Sequence, residues 1–388
     1  MLKRHIMTPG PTPISEEVLI EHGRTLMHHR SPEFSKIFSK VIEKLKKLYK
    51  TKNDVFILTS SGTGGMEAAV TNSFCAGDRV LVASIGNFGE RFKKISGAFG
   101  LEVISLDYEW GETVVPEDID LELEKDRDIK GVMVQFSETS TGALNDIEVI
   151  GKIVKNHTAI LIVDAMSGLV ASNLETDKWG LDIVIGGSQK GLSAPTGVAF
   201  ISISEKAWKV IKKSSLPKFY FDLEAVKKFA DKKPPQTPWT PGISIIVAMD
   251  KALDMLFDEG MEKTFKRHRA LALASWAGAK ALGLELLVSD PKKRGFSTTA
   301  VKVPFGIDGK ELLNIMRVKY GITIAGGQGK LAGRIIRIGH IGYVDMFDLI
   351  VVFAALEMAL NDLGYKSKTS TGVAAVQEVF MRNNDLDD

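Results

Sequence analysis

Cysteine, net charge and long apolar runs are all scarce in this chain, and each scarcity removes a class of protein. Cys75 is the one cysteine among 388 residues, so no disulfide forms within the chain. Lysine and arginine number 50 against 48 aspartates and glutamates, and a formal balance of +2 gives no general attraction to nucleic acid or a membrane surface. Runs such as "AILIV" and "LIVVFAAL" fall well short of the roughly 20 apolar residues that a spanning helix needs. The first twenty residues lack the apolar core of a signal peptide. A cytoplasmic protein with small-molecule chemistry is expected, with no nucleic-acid or membrane partner.

What is present is enough apolar material, 44% of residues, for a large domain and a smaller one. "MTPGPTPIS" is too rich in proline for a helix or a central strand and is expected to run extended over another surface, as an N-terminal arm over 1–20. Ser31 and Pro32 then open a helix whose stripe is Phe34, Ile37, Phe38, Val41, Ile42, Leu45 and Leu48. Its lysines, 36, 40, 44, 46, 47 and 50, read as a solvated flank.

From residue 54 the pattern becomes "DVFILT", "RVLVAS", "LEVISL", "GVMVQF", "AILIVDA", "DIVIGG" and "GVAFIS", separated by helical or glycine-bearing stretches. Apolar runs without alternation suit strands buried on both faces, and their alternation with helices predicts an α/β domain with a largely parallel sheet over 21–260. Residues 205 to 242 read as irregular, with a long helix following from Ile243 to Leu256. A smaller α+β domain is expected over 261–388. Its strands are "ELLVSD", "STTAVKVP", "ITIAGGQ" and "RIIRIGHIG", and its helices "DGKELLNIMRVKYG" and "MFDLIVVFAALEMALNDLG". The tail carries a weakly amphipathic piece (Val373, Val376, Val379, Phe380) and a frayed acidic end, "NNDLDD".

Ligands of parallel sheets bind beyond the carboxyl ends of the strands, which directs attention to three places. "ILTSSGTGGMEAAV" is a strand, a turn from Ser60 to Gly65 and a helix beginning near Met66, a setting that suits a phosphate dianion; glycine is also what any tight turn needs. Asp164 follows five apolar residues in "AILIVDAMSGL", a half-buried carboxylate that requires a partner or a turn to cap. Lys190 closes "DIVIGGSQKG", an ammonium among glycines placed to let backbone and cofactor come close. Its pKa is lowered by desolvation, which fits it for attack on an aldehyde. Together, a phosphate cradle, a carboxylate for a pyridinium nitrogen and an amine for an aldehyde are the three handles of pyridoxal 5'-phosphate. No residue is assigned to a metal.

The motifs "SSGTGGMEA", "ETSTGALND", "LIVDAMSG", "GGSQKGLSAPTG" and "IRIGHIG", in that order, resemble the class V aminotransferases of fold type I. The group most resembled is that of the alanine:glyoxylate and serine:pyruvate enzymes, over nearly the whole chain from "TPGPTP" to "IGHIGY". The resemblance implies a large domain with a mostly parallel seven-stranded sheet, a smaller C-terminal α+β domain, and a homodimer. It implies Lys190 as the Schiff-base lysine, Asp164 as partner of the ring nitrogen, Gln189 and the turn Thr63, Gly64 and Gly65 as phosphate ligands, and Thr139 at the phenolic oxygen. Phe88 matches the aromatic that stacks on the ring, Thr237 and Thr240 the groups that reach the other subunit's phosphate, and Arg337 the arginine for the substrate carboxylate.

The implied reaction is ping-pong transfer from serine or alanine to glyoxylate or pyruvate. A second cation, sought in His28, His29 and Arg30, would instead suit aspartate. A cysteine desulfurase needs a mobile nucleophilic cysteine, whereas Cys75 sits at a helix end where a core place is expected. A catalytically silent relative of the fold is the remaining alternative.

Overall fold

The computed structural model describes residues 3–24 and 27–383; the expected acidic end from residue 384 on lies outside them. All seven apolar runs become strands of one sheet: β1 (Asp54–Leu58), β2 (Arg79–Ser84), β3 (Glu102–Asp107), β4 (Ile129–Gln135), β5 (Ile160–Asp164), β6 (Ile183–Gly187) and β7 (Ala199–Ile203). Their order is β1-β7-β6-β5-β4-β2-β3. Only β7 runs against its neighbours, pairing Ala199 with both Leu58 and Gly187. Every residue of β5, β6 and β7 is buried, and alternate residues feed separate cores on the two faces. Leu161, Val163, Val184 and Phe200 join one; Ile160, Ile162, Ile183, Ile185 and Ile201 join the other. That is why these runs lack the polar alternation of a half-exposed strand.

On the first face lie α1 (Glu16–His22), α2 (Pro32–Tyr49) and α5 (Ile243–Glu259); on the second, α3 (Gly62–Ser73) and α4 (Asn87–Ala98). Ser31 caps α2 by accepting the Phe34 N–H at 3.2 Å. The lysine flank of α2 needs a correction at Lys44, which is buried and pairs its ammonium with Asp250 and Asp254 of α5. A lysine between two carboxylates is an inter-helix tie, not a solvated charge.

Two further readings change. The stretch 205–242 contains two helices, Glu205–Ile211 and Leu223–Ala230, capped by Ser204 and Asp222. The long helix continues past Leu256 to Glu259 and, after Gly260, another runs as α6 (Met261–Ala281).

The small sheet is β8 (Thr298–Lys302), β9 (Ala325–Gly326) and β10 (Ile335–Gly339), ordered β8-β10-β9 and antiparallel. "ELLVSD" is not a strand; Leu286 alone bridges to Val301. Helices α7 (Gly309–Val318), α8 (Met346–Asp362) and α9 (Thr371–Asn383) cover this sheet together with α6. The weakly amphipathic tail piece is α9, with Val376 fully buried.

The proline-rich segment does run over another surface. His5–Ile6 pairs in parallel with Ile322–Thr323, and the Met7 carbonyl accepts the Gly339 N–H at 2.8 Å. The chain then crosses to the large sheet, where the Thr12 N–H donates to the Gln189 carbonyl at 3.2 Å. Among the described residues no helix is long and apolar enough to cross a membrane.

Candidate active site

Because β7 is antiparallel, the link from β6 to β7 is a hairpin at the end of the sheet where the parallel strands finish. Ser188 pins it: its N–H donates to Val198 O at 3.2 Å, and its hydroxyl to Pro195 O at 2.6 Å. Lys190 sits on this hairpin and donates from Nζ to the Pro9 carbonyl at 2.9 Å. Among the described residues no carboxylate lies within ion-pair reach of the amine. Burial lowers the Lys190 pKa to about 8; Asp164 opposes this, and Arg337 and Arg91 add to it. Such an amine keeps a neutral, nucleophilic fraction near neutrality.

The flanking glycines have a different task from the one expected. A Cβ on Gly186 would strike the Tyr49 hydroxyl, one on Gly187 the Met166 side chain, and one on Gly191 would lie 2.6 Å from Val170 Cβ. The space they leave is filled by the protein's own side chains.

Asp164 ends β5, one strand away, and is 4% exposed. Oδ1 accepts the Met166 N–H at 3.0 Å, while Oδ2 has no protein hydrogen-bond partner among the described residues. Burial pushes this carboxyl above its ordinary value, and the Met166 N–H, Lys190 and Arg91 pull it back.

The glycine-rich turn also needs a correction, since the helix starts at Gly62 and not near Met66. Ser61 is its N-cap residue, with no side-chain bond, so Thr63, Gly64 and Gly65 form the first turn. The first amides of a helix lack intrahelical partners and carry the positive end of its dipole. Thr63 Oγ1 accepts from Arg91 Nη1 at 3.0 Å, which adds a cation at the cradle.

Arg91 also stands over the Phe88 ring, with Cζ 4.5 Å from the centroid. Phe88 and Gly89 open α4, and their N–H groups donate to Glu138 Oε2 at 3.0 and 3.2 Å. The other oxygen of Glu138 accepts from the Ser140 N–H at 3.0 Å and its hydroxyl at 2.6 Å. Burial raises the pKa of Glu138 to about 6, against those hydrogen bonds. Next to it, Thr139 Oγ1 is 2.6 Å from Ser167 Oγ.

Arg337 lies inside β10 between Ile336 and Ile338 and is 5% exposed. Nε donates to Gly326 O at 2.8 Å and Nη1 to Thr139 O at 2.9 Å, which fixes the guanidinium plane and leaves Nη2 without a protein acceptor among the described residues. Desolvation lowers its pKa to about 10, opposed by Glu138. The loop after β10 is held by His268, whose Nε2 accepts the Gly342 N–H at 3.0 Å while Nδ1 faces Thr264 O at 2.8 Å. Burial, with Arg267 adding to it, lowers the pKa of His268 to about 3, so this imidazole stays neutral.

Thus Lys190, Asp164, Arg337, Thr139, Phe88 and the Thr63 turn are brought together, with half-buried Gln189 adjoining Lys190. Thr237, Thr240, His28 and Arg30 are not: they gather at the loop around 235–241. Arg30 donates to Gln236 Oε1 at 2.7 Å and Thr237 O at 3.4 Å, and its own N–H reaches His28 Nδ1 at 3.3 Å. Thr237 Oγ1 donates to Trp239 O at 2.7 Å, and Thr240 is exposed. Cys75 is half-buried, not in the core, with Sγ donating to Lys213 O at 3.4 Å.

Sequence reasoning missed Glu138 and Arg91. The available signals were the acid that opens "ETSTG" and an arginine three residues after Phe88, on the same side of a helix.

The family model for class V aminotransferases matches residues 17–335. The chain belongs to that family. A serine–glyoxylate aminotransferase from Methylorubrum extorquens is 33% identical, over 99% of this chain and 97% of that protein. A Synechococcus sp. protein named the small subunit of a soluble hydrogenase is 42% identical, over 97% and 98%. The solved structure of the ureidoglycine–glyoxylate aminotransferase of Bacillus subtilis superposes with a TM-score of 0.93 at 32% identity, covering 98% of this chain and 99% of that one. The protein is therefore a transaminase that uses pyridoxal 5'-phosphate. The site suits that cofactor on its own chemistry. It offers a half-buried amine held only by a carbonyl, a buried carboxylate with a spare oxygen, and a helix start with a cation, where among the described residues the Gly62 and Thr63 N–H groups make no backbone hydrogen bond while those of Gly64 and Gly65 donate to Ser61 O.

Proposed function

We propose that this aminotransferase moves the amino group of a small amino acid, serine or alanine, to a 2-oxo acid, glyoxylate or pyruvate, by a ping-pong route. The observation that carries the reading is the supply of cations in the substrate space. Arg337 presents one free guanidinium edge to an α-carboxylate. Arg30, the candidate second cation, is turned to the loop around 235–241, where Nη1 donates to Gln236 and Nη2 to Thr237. Arg91, the other cation of the site, is engaged by Thr63 Oγ1 and the Phe88 ring, and a substrate with one carboxylate fits that balance. Glyoxylate is favoured as acceptor because it stands in the names of both aminotransferases described above, from Methylorubrum extorquens and Bacillus subtilis.

Bound cofactor supplies an electron sink for charge at the substrate Cα and a carbon that carries the amino group between half-reactions. The roles proposed for the chain are these. Lys190 is the amine that would hold the cofactor aldehyde, and its lowered pKa suits it, when free, to take the proton from the substrate Cα. The free oxygen of Asp164 holds a proton on the ring nitrogen. Thr63, Gly64, Gly65 and Gln189 hold the phosphate, Phe88 stacks on the ring, and Thr139 meets the phenolic oxygen. Thr237 and Thr240 serve the partner subunit of a homodimer.

A hydrogenase role does not follow from the Synechococcus relative's name, since a thiolate-held metal cluster needs several cysteines and the chain has one.

A matrix of amino donors against oxo-acid acceptors tests the reading. Serine or alanine with glyoxylate or pyruvate should be the productive pairs, and strong transfer from aspartate with none from serine or alanine would overturn it.

A further inference from the structure

An amine taken largely out of water needs a hydrogen-bond acceptor, and among the described residues half-buried Lys190 finds its acceptor in neither Asp164 nor any other carboxylate. Its acceptor is a backbone carbonyl of the N-terminal arm, Pro9 O, 181 residues away in sequence. The choice matters chemically, because a carboxylate in contact would favour the charged form and hold the lysine as an inert ammonium. A carbonyl accepts from both the neutral and the protonated amine, and more strongly from the latter.

The arm is built to hold that carbonyl in place. Before it, Met7 is fixed by the Gly339 N–H and donates its own N–H to Thr323 O, each at 2.8 Å. After it, Thr12 Oγ1 donates at 2.9 Å to the carbonyl of Lys190 itself. Between the two, Gly10 takes a φ of +143°, which L side chains rarely adopt. The Lys190 side chain also occupies the space where a Gly10 Cβ would stand: Cδ and Cε would lie 2.6 and 2.7 Å away, and Nζ closer still.

We propose that the N-terminal arm is a working part of the active site. The Pro9 carbonyl docks the Lys190 amine whenever the lysine is not bonded to the cofactor, and the missing side chain of Gly10 leaves room for it. Pro9 and Gly10 are positioning residues: they touch the lysine, and the lysine touches the substrate. This rests on the reading of Lys190 as the cofactor-bonding residue.

The test uses full-length apoenzyme, in which the pH dependence of Lys190 labelling by trinitrobenzenesulfonate is followed by peptide mass. Replacing Gly10 with glycolate turns the Pro9 carbonyl into an ester, a weaker acceptor, without adding an atom to the crowded side. The Gly10 N–H that is lost makes no backbone hydrogen bond among the described residues. With the acceptor weakened, the labelling midpoint should fall by about half a pH unit or more. Gly10→Ala, checked for folding by circular dichroism, should slow formation of the borohydride-trappable bond between pyridoxal phosphate and Lys190 about tenfold or more. If the alanine variant does not fold, the glycolate protein decides alone. A glycolate protein with the wild-type midpoint overturns the docking role. Failure of wild-type enzyme to trap pyridoxal phosphate on Lys190 would instead overturn the functional reading beneath it.

Discussion

At the residue scale the chemistry depends on charges held where charge is disfavoured. Lys190 loses its proton more readily folded than unfolded, so burying the ammonium costs stability in full below about pH 8. Between about 8 and the ordinary lysine value near 10.4 the unfolded state binds more protons, and stability rises with pH. Lys190→Met should therefore raise the melting temperature of the apoenzyme at pH 7, with the gain shrinking as pH climbs through that window; an equal gain at all pH values would contradict it. Arg337→Lys keeps a charge but loses the planar fork. A charged hydrogen bond is worth about 1.5–3 kcal/mol, so kcat/KM should fall roughly 10- to 100-fold, mainly through KM for the amino acid. Steady-state kinetics with serine or alanine would check it. Lys190, Asp164 and Arg337 were legible in the sequence because each is a charge set against an apolar strand. Glu138 and Arg91 stand in polar company, and nothing local marks the acid as gathering three backbone amides and a hydroxyl.

At the scale of elements, the glycine-rich turn proposed to hold the phosphate and the sheet are packed as one piece. Gly65, in the first turn of α3, has Ile185 Cγ2 of β6 where its Cβ would be, at 2.8 Å. Gly65→Val should lower unfolding stability by about 1–3 kcal/mol, as overpacking does. It should also weaken pyridoxal phosphate binding, because the helix start has to lift off the strand; urea unfolding and a cofactor titration would measure the two effects. Most strands of the large sheet could be read because burial on both faces imposes an apolar run; the edge strand β3 instead mixes exposed and half-buried residues, a pattern that also reads as a strand. "ELLVSD" has the same look, yet its residues find no ladder partner beyond the Leu286–Val301 bridge. Apolar composition reports burial, and burial alone does not make a strand. The partners of the arm, Ile322–Thr323 and Gly339, were out of reach for the same kind of reason: pairing over more than 300 residues leaves no local pattern.

At the scale of the whole molecule, the loop around 235–241 makes no hydrogen bond to Lys190, Asp164 or Arg337 among the described residues, which makes sense if it serves a second subunit. Lys190→Ala and Thr240→Asp should each abolish activity alone, the second by setting a carboxylate against the cofactor phosphate. Co-expressed, they should regain activity, because one site of a mixed dimer would then have an intact lysine and an intact loop. No recovery, with mixed dimers demonstrated, would mean that each chain completes its own site. The antiparallel course of β7 bears on time as well as shape. Since it makes the Lys190 segment a hairpin link and not a long crossover, with the backbone tied by Ser188 and by Thr12 on the Lys190 carbonyl, the travel of the amine is set mainly by rotations about its own four methylenes. Such rotations are far faster than the microsecond-to-millisecond opening of loops and lids. If Lys190 moves the substrate proton as proposed, that transfer does not wait on a lid or domain motion, and slow steps in turnover fall to substrate entry, product release or the movement of other parts.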